Sequence, residues 1–164
     1  MFSNKKILIT GHTGFKGFWL SCILNYLNAD IYGISIDIPT EPSIYKTAKA
    51  NLFKEDIRLD VCNGKELTKH VVRIKPDFIF HLAAQPLVSV SYELPDETIK
   101  TNALGTVSIL QAIRKLENNV VAILITSDKA YYNSEWVYGY RENDKLGGID
   151  PYSASKAMAE LAIN

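Results

Sequence analysis

Tyr152 and Lys156 lie four residues apart in the segment YSASK, a spacing that places both side chains on one face of a helix. An ammonium group beside a phenol stabilises the phenolate and so lowers the pKa of the phenol. Such a phenol can accept a proton from a substrate hydroxyl near neutral pH. Ser127, at the end of an apolar run, can hydrogen-bond the same hydroxyl. These three residues predict proton transfer at an alcohol, with an ordinary surface Tyr–Lys pair as the alternative.

Asp128 and Lys129 follow Ser127 directly and provide a second acid–base pair. Elimination of water needs an acid at the departing oxygen and a base at the neighbouring carbon. Asp128 can serve as that acid only where an apolar or anionic setting keeps it protonated, and Lys129 can serve as the base only when neutral. The pair therefore makes a dehydration feasible, with an ordinary loop ion pair as the alternative.

A glycine-rich loop, GHTGFKG at residues 11–17, stands between an apolar run and a helix-like stretch. The N–H groups and the dipole of a first helical turn favour a phosphate, and glycines let the phosphate approach the backbone. The spacing therefore predicts a pyrophosphate site, with a bare tight turn as the alternative. The predicted contacts in this loop are Gly11, Thr13, Gly14, Phe15, Lys16 and Gly17.

Asp37 closes the second apolar run, twenty positions after Gly17. A carboxylate at this place can accept hydrogen bonds from both ribose hydroxyls of an adenosine, and it repels a 2′-phosphate. This favours NAD over NADP, although the positive charge of Lys16 lies near the same end of the ligand. A turn residue before Pro39 is the alternative for Asp37.

The elements that must position these residues follow from five apolar runs, at 6–10, 31–36, 56–60, 77–82 and 120–126. Between the runs lie segments with helical apolar spacing, near 18–27, 67–74 and 98–116, and Asp150 with Pro151 is a helix-start signal for 151–164. Alternating strands and helices predict a parallel sheet covered on both faces. The expected fold is a doubly wound, Rossmann-type α/β domain over residues 1–164. Residues 37–50 and 128–150 are expected to be long loops.

Further candidate binding residues stand at the ends of these runs, where open parallel sheets bind their ligands. Asp60 closes the third run, where its carboxylate can meet an adenine amino group. The small side chains of Ala83 and Ala84 leave room for a flat ligand. The predicted cofactor contacts outside the glycine loop are Asp37, Asp60, Val61, Leu82, Ala83, Ala84, Asn102, Thr126, Tyr152 and Lys156.

Composition excludes several classes of protein. Eighteen basic and eighteen acidic residues balance, and the absence of a basic block argues against nucleic-acid binding. No apolar stretch is long enough for a bilayer, and the apolar run of three residues after Lys5 and Lys6 is too short for a signal peptide, so we expect a cytoplasmic protein without membrane contact. Cys22 and Cys62 lack metal-ligand spacing, which predicts reduced structural thiols and no metal.

The motifs together resemble those of the extended short-chain dehydrogenase/reductase family. The residues that carry this resemblance are Gly11, Gly14, Gly17, Asp37, Asp60, Val61, the segment HLAA, Asn102, Ser127, Tyr152 and Lys156. Within that family, five segments are similar to the nucleotide-sugar 4,6-dehydratases that act on CDP-glucose. These segments are GHTGFKG (11–17), PDFIFHLAAQPLV (76–88), TSDKAYYNSEW (126–136), GYREND (139–144) and LGGIDPYSASKAMAEL (146–161).

The resemblance implies a redox-neutral dehydration of CDP-glucose to CDP-4-keto-6-deoxyglucose. Tyr152 takes the proton of the glucose O4 while C4 gives hydride to NAD⁺, Ser127 holds that oxygen, and Lys156 binds the nicotinamide ribose. Asp128 protonates the departing 6-hydroxyl, a base removes the C5 proton, and hydride returns to C6. Lys129 is the candidate base, but dTDP-glucose dehydratases carry glutamate at its position, which leaves the identity of the base open.

The resemblance also implies how the chain is assembled. Asn102 is expected to steady the active-site helix, with a helix-start role before Gly105 as its alternative, and packing is the expected role of His12. The helices near 98–116 and 151–164 match a pair that forms a four-helix interface in homodimers of the family. The family's C-terminal domain, which holds the substrate nucleotide, is expected to be missing from this chain, whose last helix has no closing Gly or Pro.

Two other functions stay open on the sequence. A nucleotide-sugar 4-epimerase of the same family needs only the hydroxyl, the phenol and the lysine. A non-catalytic NAD-binding module is the second, because the chain is expected to be the N-terminal part of something longer. The implied pathway for the leading interpretation is deoxysugar synthesis for surface polysaccharide such as lipopolysaccharide.

Overall fold

The sheet of the protein is parallel and is seen in a computed structural model that describes residues 1–48 and 51–164. Within these residues it has five strands in the order β3-β2-β1-β4-β5. The strands are β1 Lys6–Thr10, β2 Asp30–Ser35, β3 Glu55–Arg58, β4 Phe78–His81 and β5 Val121–Leu124. All five apolar runs are thus confirmed as strands, and the strand order confirms the doubly wound sheet. The chain winds from β1 to one edge and then returns to the other side of β1, which creates a switch point.

Helices separate the strands as the periodicity predicts. They are α1 Phe15–Tyr26, α2 Ile44–Ala48, α3 Gly64–Ile74, α4 Val88–Glu93, α5 Pro95–Ile99, α6 Gly105–Ile113 and α7 Pro151–Ile163. The helix expected near 98–116 is interrupted by a π-helical turn at Lys100–Leu104 between α5 and α6. The loop expected at 37–50 is wrong in part, since α2 lies in it, and its positions 49 and 50 fall outside the described residues. The helix α4 has no counterpart among the predicted elements.

The chain divides into two compact units. The first comprises Met1–Ala83 and Ser108–Ile125 and holds the whole sheet. Apolar side chains of alternate strand residues are buried on its two faces, which is what parallel strands require. One cluster contains Leu8, Ile34, Val61, Leu67, Val71, Ile74, Ile79, Ile109 and Ala112. The other contains Ile7, Ile9, Leu24, Ala29 and Ile31.

The second unit comprises Ala84–Val107 and Thr126–Asn164. In it α7 packs against α4, α5, the π-helical turn and a 3₁₀ turn at Asp128–Ala130. Most of 131–149 is irregular, as predicted, but an antiparallel bridge joins Tyr131 to Leu146. The rings of Tyr131 and Tyr140 stack with their centroids 5.4 Å apart. The loop is therefore closed at its base and packed by its own aromatic side chains.

Cys22 and Cys62 are half-buried and are not joined in a disulfide, and burial raises the pKa of Cys22. Within the described residues, no three His, Cys, Asp or Glu side chains converge as ligands for a metal ion. None of the helices described above has the length and apolar character needed to cross a bilayer.

Candidate cofactor and active site

The glycine loop of the first unit leads into an open helix N-terminus. Gly14 precedes α1 in an extended conformation, and no side chain caps the helix. The N–H groups of the first helical turn have no acceptor within the helix, because only the N–H groups from the second turn onward can bond to a carbonyl oxygen of the preceding turn. Phe15 and Lys16, which begin this helix, are exposed, and Gly14 is half-buried. This arrangement fits an anionic ligand such as a pyrophosphate.

Glycine is needed at the three positions of the loop for different physical reasons. Gly11 has a φ of +74°, and a Cβ there would lie 2.8 Å from the backbone nitrogen of Ala83. At Gly17 a Cβ would overlap the carbonyl oxygen of Gly11 and lie 2.8 Å from the Cα of His12. At Gly14 the nearest atom would be 3.4 Å away, an ordinary contact. Gly11 and Gly17 are therefore required by the fold, whereas Gly14 leaves open a surface that a phosphate can approach.

Thr13 joins the glycine loop to the predicted ribose carboxylate. Its hydroxyl donates to the backbone oxygen of Asp37 at 2.6 Å, and its N–H lies 3.4 Å from Oγ of Ser35. The carboxylate of Asp37 is exposed. The loop and Asp37 are thus held together in one unit, as a ligand with a pyrophosphate and a ribose would require.

The remaining predicted contacts of the first unit are placed as follows. Asp60 accepts a hydrogen bond from the N–H of Cys62 at 2.8 Å, so one carboxylate oxygen closes a turn. The side chain of Val61 is buried in the core, which leaves only its backbone for a ligand. The N–H groups of Leu82 and Ala83 donate to the backbone oxygen and the hydroxyl of Thr10, at 3.1 and 3.2 Å. The structure thus gives these residues supporting contacts within the first unit, and their contacts with a ligand remain predictions.

A buried polar network beside the loop has no clear signal in the sequence. His12 is fully buried; its Nε2 lies 2.8 Å from Oδ1 of Asp56 and its Nδ1 lies 2.9 Å from Oγ of Ser35. The hydroxyl of Tyr45 donates to the carboxylate of Asp56, and Arg58 donates to that hydroxyl at 2.9 Å. Burial lowers the pKa of His12 despite the neighbouring carboxylate. Burial, with the hydrogen bond to Asp56, raises the pKa of Tyr45 to about 12.

In the second unit, α7 carries the predicted proton-transfer pair. Asp150 caps the helix by accepting from the N–H and the hydroxyl of Ser153, at 2.9 and 2.6 Å, as the sequence predicts. Partial burial acts to raise the pKa of Asp150, but these hydrogen bonds and the charge of Lys129 outweigh it and lower the pKa. Tyr152 is half-buried and Lys156 is buried. The helix that places Tyr152 and Lys156 on one face is therefore present, and Asp150 caps its N-terminus.

Ser127, Asp128 and Lys129 form the 3₁₀ turn and its cap. The hydroxyl of Ser127 accepts from the N–H of Lys129 at 3.2 Å and donates to Oδ1 of Asp128 at 3.1 Å. The side chains of Asp128 and Lys129 are exposed, and no ion pair joins them in the described part of the chain. The roles of acid and base, which need enclosure, remain predictions.

Two hydrogen-bonded pairs of the second unit have partners that the sequence does not indicate. The hydroxyl of Thr126, a predicted cofactor contact, donates to the carboxylate of Glu160 on α7. Asn102 is buried in the π-helical turn, where its Nδ2 lies 2.9 Å from Oγ of Ser155. The helix-start interpretation of Asn102 is wrong, because helical backbone continues on both sides of it. Ala84, also a predicted contact, begins this unit and is half-buried.

Comparison with known proteins decides the family. Residues 8–164 match the family described as GDP-mannose 4,6 dehydratase. The chain belongs to this family. The predicted resemblance to extended short-chain dehydrogenases/reductases is thereby confirmed, and so is the Rossmann-like fold.

The family members and structures most similar to the chain include enzymes of nucleotide-sugar chemistry. The chain is 46% identical over 163 residues to CDP-glucose 4,6-dehydratase of Salmonella typhimurium, and the alignment covers 99% of this chain and 45% of that protein. Pal from Bacillus thuringiensis superposes with a TM-score of 0.83 at 24% identity, over 96% of this chain and 50% of that one. UDP-glucose-4-epimerase from Stenotrophomonas maltophila, solved with bound NAD and formylated UDP-arabinopyranose, superposes with a TM-score of 0.82 at 16% identity. This superposition covers 98% of this chain and 48% of that one. The chain therefore spans about half the length of the relatives it matches.

Proposed function

We propose that the protein is an NAD-dependent nucleotide-sugar 4,6-dehydratase that converts CDP-glucose to CDP-4-keto-6-deoxyglucose and water. The observation that carries this proposal is the 46% identity to a CDP-glucose 4,6-dehydratase over 99% of the chain. That coverage includes the glycine loop and the segments of Ser127 and Tyr152. The expected setting is deoxysugar synthesis for surface polysaccharide in the cytoplasm.

The first unit would hold NAD. The free N–H groups that follow Gly14 suit its pyrophosphate, and the exposed carboxylate of Asp37 suits the hydroxyls of its adenosine ribose. NAD held there would supply reversible hydride transfer at the sugar, so the reaction would have no net oxidation. The chain's own side chains must then move the protons.

Tyr152 is proposed to accept the proton of the O4 hydroxyl, with the buried ammonium of Lys156 stabilising the phenolate. Ser127 would hydrogen-bond the same oxygen, for which its hydroxyl must turn away from Oδ1 of Asp128. Asp128 would protonate the departing 6-hydroxyl, and Lys129 is the candidate base that would take the proton of C5 and give a proton back to C5 as hydride reaches C6. The proton that Tyr152 takes up matches the one that Asp128 gives, so exchange of one proton with solvent restores both residues.

The proposal also covers the assembly. The chain would be the NAD-binding domain, with the nucleotide of the substrate held by a separate C-terminal domain of the full-length protein. We further propose a homodimer through the helices of the second unit. Leu104, Met158 and Leu161 are exposed on these helices, at 56%, 44% and 67%, and apolar side chains in that position suit a helix–helix interface.

Substitution of Tyr152 by phenylalanine in the full-length protein tests the proposed chemistry. Tyr152→Phe removes the group that accepts the O4 proton, so turnover of CDP-glucose should be abolished. Binding of NAD⁺ should stay within a few-fold, because the phenol contributes little to the pyrophosphate and ribose contacts. The product is measured by the absorbance of 4-keto-6-deoxy sugars in alkali, and cofactor binding by calorimetry.

Two outcomes would count against the proposal. Unchanged turnover in Tyr152→Phe would remove the phenol from the mechanism. Interconversion of gluco and galacto forms without any 4-keto-6-deoxy sugar would identify a 4-epimerase instead. Parallel assays with CDP-, UDP-, GDP- and dTDP-glucose determine the nucleobase.

A further inference from the structure

A chain of buried hydrogen bonds connects Gln85 to the first turn of α7. Asn102 lies 2.8 Å from the N–H of Gln85 and 3.1 Å from its carbonyl oxygen. The same side chain lies 2.9 Å from Oγ of Ser155, and that Oγ lies 2.6 Å from the carbonyl oxygen of Tyr152. The connection therefore ends on the peptide of the residue proposed to accept the proton.

One donor determines which group donates and which accepts in each hydrogen bond of this connection. The backbone N–H of Gln85 can only donate, so the atom of Asn102 that faces it must be Oδ1. Nδ2 then has its two protons for the carbonyl oxygen of Gln85 and for Oγ of Ser155. Because this Oγ already accepts from Asn102, its own proton is directed to the carbonyl oxygen of Tyr152.

Both side chains of the connection are closed to water. Asn102 is 2% exposed and Ser155 is 0% exposed, so a lost partner cannot be replaced by solvent. Gln85 is held in turn, since its Nε2 donates to the hydroxyl of Thr98 at 2.8 Å and its Oε1 accepts from the N–H of Leu87 at 2.6 Å. The connection thus starts from an ordered anchor.

The π-helical turn explains how Asn102 reaches both partners. The wider turn at Lys100–Leu104 inserts one residue into the helix, which changes the direction of the side chains that it carries. The backbone oxygen of Asn102 also accepts from the hydroxyl of Thr106 at 2.7 Å. The irregular turn is therefore stabilised at the residue that makes the connection.

We propose that Ser155 is a positioning residue: its hydroxyl transmits the anchor at Asn102 to the first turn of α7 and holds Tyr152 and Lys156 in place. This inference rests on the proposed function, because it takes Tyr152 as the proton acceptor. Ser155 touches no reacting atom, so its loss should misplace the phenol without removing a contact to substrate or cofactor. A small misplacement lowers the rate of a chemical step far more than it weakens binding.

The decisive variant is Ser155→Ala in the full-length protein. We expect kcat for dehydration of the nucleotide sugar to fall by about tenfold or more, while KM and the Kd for NAD⁺ change by less than about twofold. Ser155→Thr keeps the hydroxyl and should retain most of kcat. The matched control is Ser91→Ala, which removes the hydroxyl of another fully buried serine; among the residues that the structure describes, this hydroxyl donates to the carbonyl oxygen of Val88 in its own helix, at 2.7 Å. This control should leave kcat unchanged.

A double-mutant cycle tests whether the two residues act as one unit. Asn102→Ala should lower kcat as Ser155→Ala does, and the double variant should be no slower than the slower single one. A decrease equal to the product of the two single effects would overturn the proposal, and so would a Ser155→Ala variant with normal kcat. If Ser155→Ala does not fold, Ser155→Thr and Asn102→Ala still give the comparison of hydroxyl retained with anchor removed.

Hydrogen exchange gives a readout that does not depend on activity. In the cofactor-free protein, the amides of 152–158 should exchange several-fold faster in Ser155→Ala and Asn102→Ala than in the wild type, and Ser91→Ala should match the wild type. Unchanged exchange in both variants would overturn the connection. A wild type that dehydrates no nucleotide sugar would instead contradict the proposed function, and the exchange rates would then decide the role of Ser155 by themselves.

Discussion

Among single residues, the glycines of the 11–17 loop divide into those that the fold needs and one that a ligand needs. A side chain at Gly17 would overlap the backbone of Gly11, and Gly11 itself has a positive φ. A methyl group at Gly14 meets the protein only at 3.4 Å, at the carbonyl oxygen of Gly11. One motif of identical residues thus serves two physical purposes.

This division predicts different results for two alanine variants. Gly17→Ala should destabilise the protein by roughly 1–3 kcal/mol, because the backbone must shift to admit the methyl group. Gly14→Ala should leave the unfolding free energy nearly unchanged but weaken binding of NAD⁺. Urea unfolding and cofactor calorimetry on both variants make the comparison.

The opposite pattern would contradict the phosphate role of the loop. Normal NAD⁺ affinity in Gly14→Ala would mean that no phosphate approaches this backbone. Normal stability in Gly17→Ala would mean that the loop relaxes at little cost.

The structural role of a single residue could be predicted where it depends on neighbours close in the sequence. The cap at Asp150, the helix of Tyr152 and Lys156, and the turn at Ser127 follow from neighbours within four positions. The use of the Thr126 hydroxyl could not be predicted in the same way. Its partner Glu160 is 34 positions away and is brought close only by the packing of α7.

At the scale of elements, a network around His12 connects the glycine loop, the end of β2, β3 and α2. His12 contacts Asp56 on β3 and Ser35 on β2, and Tyr45 brings α2 to the same carboxylate. The ring of His12 also lies edge-to-face against Phe53, with centroids 4.8 Å apart. Elements that the sequence shows only as separate runs are thus joined by one buried imidazole.

The network makes stability depend on pH. Burial holds the pKa of His12 below its usual 6.5 in the folded chain, so the unfolded chain binds a proton that the folded chain excludes. The stabilisation is complete above pH 6.5 and is lost as the pH falls below it. Burial opposes the low pKa of Asp56, but hydrogen bonds from Tyr45 and His12 keep it below 3.8, so its contribution is lost only in stronger acid.

Thermal unfolding between about pH 7.5 and about pH 5.5 measures this effect. The wild type should lose stability steadily as the pH falls. His12→Gln should be less stable at the higher pH but lose less on acidification, because no imidazole is left to protonate. His70→Gln, a change at a half-buried histidine of α3 outside this network, is the comparison variant; a slope that falls in His12→Gln and not in His70→Gln assigns the acid sensitivity to the network. Equal slopes for the wild type and His12→Gln would assign the acid sensitivity to another group.

Elements were predictable where their periodicity is regular. The five strands follow from apolar runs, and the helices α1 and α3 follow from apolar helical spacing, because a buried face imposes its own repeat. The helix α7 follows from its start signal at Asp150 and Pro151. The π-helical turn at Lys100–Leu104 was not, since one additional residue hardly disturbs the apolar pattern of a long helix. The short helix α2 was hidden in a segment whose polar and proline residues indicate a loop.

For the molecule as a whole, the proposed dimer is the feature that can be tested most directly. Leu161→Glu places a charge on the exposed apolar side of α7 and should convert the full-length protein to a monomer, because a charge inside such an interface is left unpaired. Light scattering after size exclusion measures the mass. Val137→Glu, in the loop between β5 and α7, changes a side chain that is 92% exposed and should leave the dimer intact.

A Leu161→Glu protein with the mass of the wild-type dimer would contradict this interface. Dissociation in both variants would instead indicate a general loss of folding, which thermal unfolding distinguishes. The two measurements together separate an effect on assembly from an effect on stability.

The amino-acid sequence by itself determined the doubly wound sheet, the glycine loop and the helix of Tyr152 and Lys156, because these depend on spacings of one to four residues. Only the tertiary structure decided the partners of His12, Thr126 and Asn102. These partners lie 44, 34 and 53 positions away, and side chains separated by such distances along the chain meet only where packed elements bring them together. Periodicity records which face of an element is buried, but it does not record which polar groups share the buried space.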